Sequence, residues 1–578
     1  MAEYLSPGVY VEEFESGGKP MEGVSTSTAG FIGIAERGPV EGLPQLVTNF
    51  SDFKRKYGSY LSENEYGEYR FLAYAVEHFF INGGSRCFIA RVAPGDAKCA
   101  AGYAPDSETP VLRLTAKNPG KWGDGIRVVV TPASKAKTQV LQETEGVSGK
   151  QYRVKNAGGF QVGDVVAFSD KNTVVYNRIR KNQDNVLEFE EEFEGSLVDT
   201  NLLPVKTLTT CEFHLEVKFD DQVELYENVS FNIEAANYIA KKTAKSELIR
   251  AEYVGKATEG IVPPFEEICG VGGESFLAIS LLNGSDGSIS GISAADIIGQ
   301  DNGAGKRTGI QAFLDNDMVS IMAVPGITDP NVQLMLVAHC EGLGSRFAVL
   351  DVPKDAKKMD DIIAHRDIFD SAYAALYHPW LEVFDPLDKK NIAIPPSGSV
   401  IGIYARSDNT RGVHKAPANE TVRACVGLDC QFNKGEQDIL NPKGVNLIRS
   451  FPGMGIRVWG ARTATSNPSW KYVNVRRLFI FIEESIRANT NWAVFEPNDE
   501  TLWVRVKRTI DVFLNGLWRN GYLAGSASSE AFFVNIGRDT MSQDDIDNGR
   551  LVCVIGVAPV KPAEFVIFRI SQKTSSAE

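Results

Sequence analysis

The chain has 578 residues, too many for one ordinary domain and enough for about three or four, each with a sizeable core. Its 43% apolar, 10% aromatic and 23% charged residues are those of an average globular protein, and its 53 glycines favour tight turns and strand ends over long helical bundles. With 60 basic against 74 acidic residues, a formal charge of −14, the surface repels phosphate backbones, so direct nucleic-acid binding is not expected.

Residues 1–28 do not read as a domain. Val9, Tyr10 and Val11 suggest a short strand running on to Phe14, followed by Gly17-Gly18 and the polar Ser25-Thr26-Ser27-Thr28. A strand without a hairpin partner leaves main-chain donors and acceptors that must find water or another sheet edge. The segment is therefore expected to be a strand arm and linker, flexible from Gly17 to Thr28; a frayed terminus is the alternative. No basic leader with an apolar stretch follows Met1, so no signal peptide is expected.

From Ala29 the pattern is compact. Phe31 to Ala35 is a strand, Leu46 and Val47 give a second, and Ser51-Asp52-Phe53 caps a short helix ending at Gly58. Phe71, Leu72, Ala75, Val76, Phe79 and Phe80 recur at helical spacing and predict a helix over 70–81, with a strand over 87–92 after it. Residues 98–270 change character to short alternating runs, such as 128–131, 165–168 and 213–217, and predict an inserted, mostly-β outer domain. Strand–helix alternation then returns: strand 317–324, a helix from Asp329 to about 342, strand 346–351, helix 360–376, strand 380–384. That spacing argues a parallel sheet covered by helices, a core domain made of 29–97 and 271–440. An α+β C-terminal inner domain follows over 441–560, with helices at 473–489 and 499–521 and a strand at 551–557. A last strand is expected over 564–570, beyond Lys561-Pro562. Residues 561–578 thus form a second strand arm carrying Phe565, Val566, Ile567, Phe568 and Ile570.

Chemistry-bearing motifs are weak. Gly303 to Thr308 suggests a phosphate loop, but Arg307 follows the lysine and Gln300 stands where the first glycine belongs. Asn283 to Gly287 lacks the ligand spacing of a calcium loop. The six histidines have no metal-site spacing, and eight scattered cysteines read as free thiols of a protein made in reducing cytosol. No catalytic, cofactor or metal residue is predicted; the chain is expected not to be an enzyme, with an α/β hydrolase as the distant alternative. The densest apolar run, 478–482, is far short of the roughly 20 residues needed to cross a bilayer, so membrane insertion is not expected. On the helix 499–521, Arg505, Arg508 and Arg519 share one face, opposite Ile510, Phe513, Leu514, Leu517 and Trp518. This reads either as a solvated face or as a basic stripe for an acidic partner.

Several segments resemble the tail sheath family of contractile phages and related bacterial injection devices. They are Leu5 to Glu13; Pro395 to Asp408, continuing through Arg411 to Asn419; Asn441 to Asn446; Val458 to Thr463; Tyr472 to Arg477; and Phe495 to Asn498. The usual aromatic near His414 is missing, and 98–270 matches poorly. The resemblance implies a structural subunit that polymerises helically around an inner tail tube, with baseplate and tail terminator proteins as further partners. It implies N- and C-terminal arms lent to neighbours' sheets, and a core similar to subtilisin in fold without its catalytic triad. It also implies contraction from a metastable extended state. Such a protein is made in the bacterial cytoplasm and resides in a virion tail sheath; the sheath of a bacterial injection system or tailocin is the alternative. A non-contractile surface-layer protein is disfavoured by the absent secretion signal.

Overall fold

In a computed structural model the described residues are 21–143, 150–169, 174–193, 206–255, 260–270, 275–565 and 567. The centre is a nine-stranded sheet. Its strands are β1 (Ala29–Ile34), β2 (Gln45–Val47), β3 (Cys87–Val92), β4 (Ile321–Ala323), β5 (Phe347–Asp351), β6 (Ala374–His378), β7 (Val445–Phe451) and β8 (Gly455–Val458), with Glu420–Thr421 at one edge. The order is β2-β3-β1-β4-β5-β6-β7-β8, then Glu420–Thr421. Neighbours from β3 to β7 run parallel, and β2 and β8 are antiparallel additions.

β3, β4, β5 and β6 are buried along their whole length, which is why they read as unbroken apolar runs. Successive residues face opposite layers. Phe31 packs with Phe79 of α1 (Leu72–Asn82) and with Ile401 and Tyr404 of α3 (Ser397–Arg411). Ile32 packs with Leu336 of α2 (Pro330–Leu343) and with Ile362 of the helix Met359–Arg366. Asp329 caps α2, accepting from the Asn331 N–H, as expected.

α3 was not foreseen as a helix, and its Ser-Gly-Ser and later glycine explain its position. A Cβ on Gly398 would lie 2.4 Å from the Ala75 carbonyl, and one on Gly402 2.5 Å from that of Phe79. Only small residues let α3 lie this close to α1. The helix expected over 360–376 stops at Arg366, because 374–378 is needed as a strand buried on both faces. Residues 445–458, expected in the last domain, instead extend the central sheet as β7 and β8, with β7 parallel to β6. The core therefore runs on to Ala464, whose N–H bonds the Ala374 carbonyl.

The inserted region is mostly strand, with short helices at Ile239–Lys242 and Pro264–Cys269; it closes later than 270 and contains two bodies. Ala101 and Leu282 exchange main-chain hydrogen bonds, so the chain re-enters the core near 282 rather than 270. Next to the core, the four strands Gln222–Val229, Glu212–Phe219, Arg127–Ala133 and Leu277–Ser280 form one sheet, and Ile249–Tyr253, Leu112–Ala116 and Ala101–Ala104 form another. Between them lie Trp122, Val128, Phe213 and Leu215. Spliced into the turn between Ala133 and Glu212 is a closed six-stranded barrel with its own core of Tyr152, Phe168, Phe189, Phe193 and Leu208. The buried guanidinium of Arg91 ties insert to core, donating to the carbonyls of Ala35, Glu36 and Gly38 and to that of Pro119.

The C-terminal domain has two helices, α4 (Val473–Asn489) and α5 (Glu500–Arg519), and the antiparallel pair β9 (Phe532–Ile536) and β10 (Cys553–Val557). Asp499 caps α5 through the Leu502 N–H. Leu478 and Ile482 of α4 pack with Val506, Ile510, Leu514 and Leu517 of α5 and with Val534. Val473 and Ile480 of α4 belong instead to the central core. One helix thus serves both domains. Among the described residues no helix is long and apolar enough to cross a membrane.

Candidate inter-subunit interface

The two ends of the described chain both meet α4. At the N-terminal end, residues 21–28, expected to be part of a flexible linker, run against the helix rather than hanging free. The Val24 N–H donates to Ser485 Oγ (3.1 Å), and Asn489 Nδ2 donates to the Glu22 carbonyl (2.9 Å). A Cβ on Gly23 would stand 2.6 Å from the Phe481 ring, so glycine is what lets the segment lie flush. Further along, Arg477 Nη2 donates to the Thr26 carbonyl (2.8 Å) and pairs with Asp408 of α3 (2.6 Å). Both charged side chains are 4% exposed. Removing either partner of such a pair leaves a buried charge and costs about 3–5 kcal/mol. Thr26 Oγ1 closes the network on Asp408 Oδ2 at 2.6 Å.

At the C-terminal end the chain leaves β10, and the Ala558 N–H bonds the Ala531 carbonyl. Asn474 Nδ2, in the first turn of α4, donates to the Val560 carbonyl (3.3 Å). Glu564, expected to open a strand, is instead gripped by four side chains. Arg462 donates through Nε and Nη2, both at 2.7 Å; Asn441 Nδ2 donates at 2.7 Å and the Tyr472 hydroxyl at 3.1 Å, with Lys471 Nζ 3.5 Å away. Burial opposes the Glu564 charge, but the donors from Arg462, Asn441 and Tyr472 outweigh it and hold its pKa down to about 2. Immediately beyond, Phe565 and Ile567 are 71% and 78% exposed. Leaving two such side chains in water forgoes about 1.5–3 kcal/mol each.

Val566, Phe568 and Ile570 of the expected C-terminal strand, and Val9, Tyr10, Val11 and Phe14 of the N-terminal one, lie outside the described residues. Beside both roots stands β9–β10, a two-stranded sheet that no third strand joins among the described residues. Phe533 and Val554 are exposed on it. Such a pair is marginal alone and offers unpaired edges.

Arg505, Arg508 and Arg519 are exposed on one face of α5, as expected, while Ile510, Phe513, Leu514 and Leu517 are buried and Trp518 is half-buried. Exposed Val504 and Val512 interrupt the stripe, and the Arg505 guanidinium lies 4.5 Å over the Trp492 ring. Arg307, from the loop that suggests a phosphate site, is paired with Asp301 and Asp315. The core also holds a serine–histidine contact, Ser399 Oγ at 3.3 Å from His78 Nδ1, but both residues are buried and Asp351 bonds Ser397 and Gly326 rather than His78. That arrangement is packing, with no path for a substrate.

The mooring residues escaped sequence reasoning as a set. Asp408, Asn441, Arg462, Tyr472, Asn474 and Arg477 all stand in the segments of family resemblance, but most have polar neighbours that look alike in sequence, so no local signal set them apart.

The description of the phage tail sheath protein central domain matches residues 292–464, and that of the phage tail sheath C-terminal domain matches residues 465–573. The chain belongs to the contractile tail sheath family. The division at 464 falls where Ala464 makes its bond to β6. This sheath protein is 25% identical over 287 residues to the tail sheath protein of Escherichia phage P2, covering 48% of this chain and 70% of that one. Its fold is shared with the helical sheath of the anti-feeding prophage in the contracted state (19% identity, TM-score 0.52, 98% of this chain and 99% of that one). It is shared also with the contracted sheath complex of PVC, an extracellular contractile injection system (20% identity, TM-score 0.51, 99% of each chain). Family membership implies a structural, non-enzymatic part of a contractile tail.

Proposed function

We propose that this sheath protein polymerises helically around an inner tube by exchanging strands between neighbours, and that the polymer shortens from a metastable extended state to drive the tube through an envelope. The observation that carries the reading is the β9–β10 pair, which no third strand joins among the described residues, standing beside both ends of the described chain. An apolar strand entering that sheet gains main-chain hydrogen bonds and side-chain contacts. Donor and acceptor surfaces differ, so the contact is head-to-tail and propagates as a helix instead of closing. Shortening then needs two packings of one subunit with the lower one reached over a barrier, and no nucleotide. The exposed arginines of α5 are proposed to face an acidic inner tube, with baseplate and terminator proteins at the ends.

A virion tail is the setting supported by the family descriptions and the phage P2 relative. The alternative, an extracellular injection system, draws on the near-complete overlap in fold with the PVC and anti-feeding prophage sheaths. Deleting residues 1–20 tests the strand exchange: the variant should stay a folded, soluble monomer. Tubes of normal sheath length in negative-stain micrographs of that variant would remove the N-terminal arm from the assembly.

A further inference from the structure

The geometry points to Glu564 as a positioning residue that keeps the C-terminal arm off the protein's own open sheet, so that the arm is available only to a second copy. The inference rests on the strand-exchange reading above and adds a choice that reading leaves open, between pairing within a subunit and pairing between subunits.

Only residues 558–563 separate the end of β10 from Glu564. Six residues lie within the common range of connections between elements and are enough to turn back, and the apolar run from Phe565 onward would then lie antiparallel along β10 and complete the sheet in its own molecule. The chain takes another course. Pro559 bridges to Leu523, Val560 is held by Asn474, and Glu564 is drawn to the boundary between the central sheet and α4.

The receiving side is rigid. Asn446 of β7, wholly buried, accepts from the Arg462 N–H (2.7 Å) and donates to the Arg462 carbonyl (2.7 Å), fixing that residue from both sides. Arg462 spends Nη1 on the Asn441 carbonyl and turns Nε and Nη2 to Glu564 in a side-on, two-point grip. The arm therefore starts from the core rather than from the tip of the sheet it could fill. Phe565 and Ile567 emerge there exposed.

The test compares three full-length chains, wild type, E564A and the double variant R462M/E564L that removes the charge pair together, with a fourth chain ending at residue 565. A fifth chain combines that truncation with E564A. Each is followed as soluble protein by amide hydrogen exchange across Cys553–Val557, and by yield of sheath on co-expressed inner tube. Release of the grip should slow exchange in β10 by at least about fivefold, since the arm now bonds there. Sheath yield should fall at least about tenfold, as the acceptor sheet is occupied. Truncation in the E564A background should return β10 exchange to the wild-type rate. A merely destabilising substitution would speed exchange instead. Unchanged or faster exchange in both E564A and R462M/E564L, or wild-type sheath yield from either, overturns the inference. Normal sheath from the truncated chain alone would instead defeat strand exchange by the C-terminal arm, and the inference with it.

Discussion

Three histidines, His78, His339 and His378, are buried as neutral imidazoles, and burial lowers each pKa to about 4. Their stabilising neutrality is present above the ordinary value near 6.5 and is lost as the pH falls towards 4, at about 3 kcal/mol per group. Asp351 acts in the opposite sense. Burial raises it to about 6 despite the Gly326 and Ser397 hydrogen bonds, so its contribution is present at low pH and lost as pH rises through about 6. Burial lowers buried His365 in the same sense, and together the histidines outweigh Asp351, so the unfolding temperature should drop between pH 7 and pH 4.5. H78Q should make the drop shallower. Melting curves that superimpose across that range would refute the assignment of these histidines as neutral. At this scale the sequence was least informative. Arg477 and Asp408 are 69 residues apart and Arg462 and Glu564 102 apart, and no local pattern connects charges over such distances. The apolar runs of the expected arms, in contrast, are local patterns that a sequence displays directly.

At the scale of elements, α4 and α5 were readable nearly residue for residue, because both are long runs of apolar residues at helical spacing and α5 has a capping Asp499. α3 was missed since it is buried nearly all round and rich in serine and glycine, which suppresses any periodic signal. β6 was mistaken for a helical extension because a doubly buried strand is apolar at every position, like a buried helix turn. For α5, the prediction concerns the three arginines. R505E with R508E leaves the buried face untouched and so should preserve the monomer's circular dichroism and melting. Co-sedimentation with inner tube should weaken by about tenfold or more, since each reversal turns an attraction into a like-charge contact. Equal sedimentation of variant and wild type would move the tube contact elsewhere on the molecule.

For the whole molecule, the sequence placed an inserted β region correctly but blurred its ends, and the nesting of one body inside another was invisible. Short alternating strands look alike whether they close a barrel or pair across a sheet. The two bodies have separate cores: no residue of the barrel core belongs to the cluster around Trp122 and Phe213. Joining Ser134 to Cys211 through a short glycine turn, which keeps the Ala133–Glu212 register, should therefore leave a folded chain whose melting shifts by a few degrees at most. Sheath should still form on the tube, thinner by the missing barrel in class averages. Aggregation on expression, or absence of sheath, would show the barrel to be part of the scaffold.

Both ends of the described chain are made fast to one rod of 17 residues, about 25 Å long. A pull arriving from one neighbour would enter at Ser485 and Asn489 and leave through the Glu564 grip, where Asn446 of β7 holds Arg462, so the rod and the central sheet would share the load.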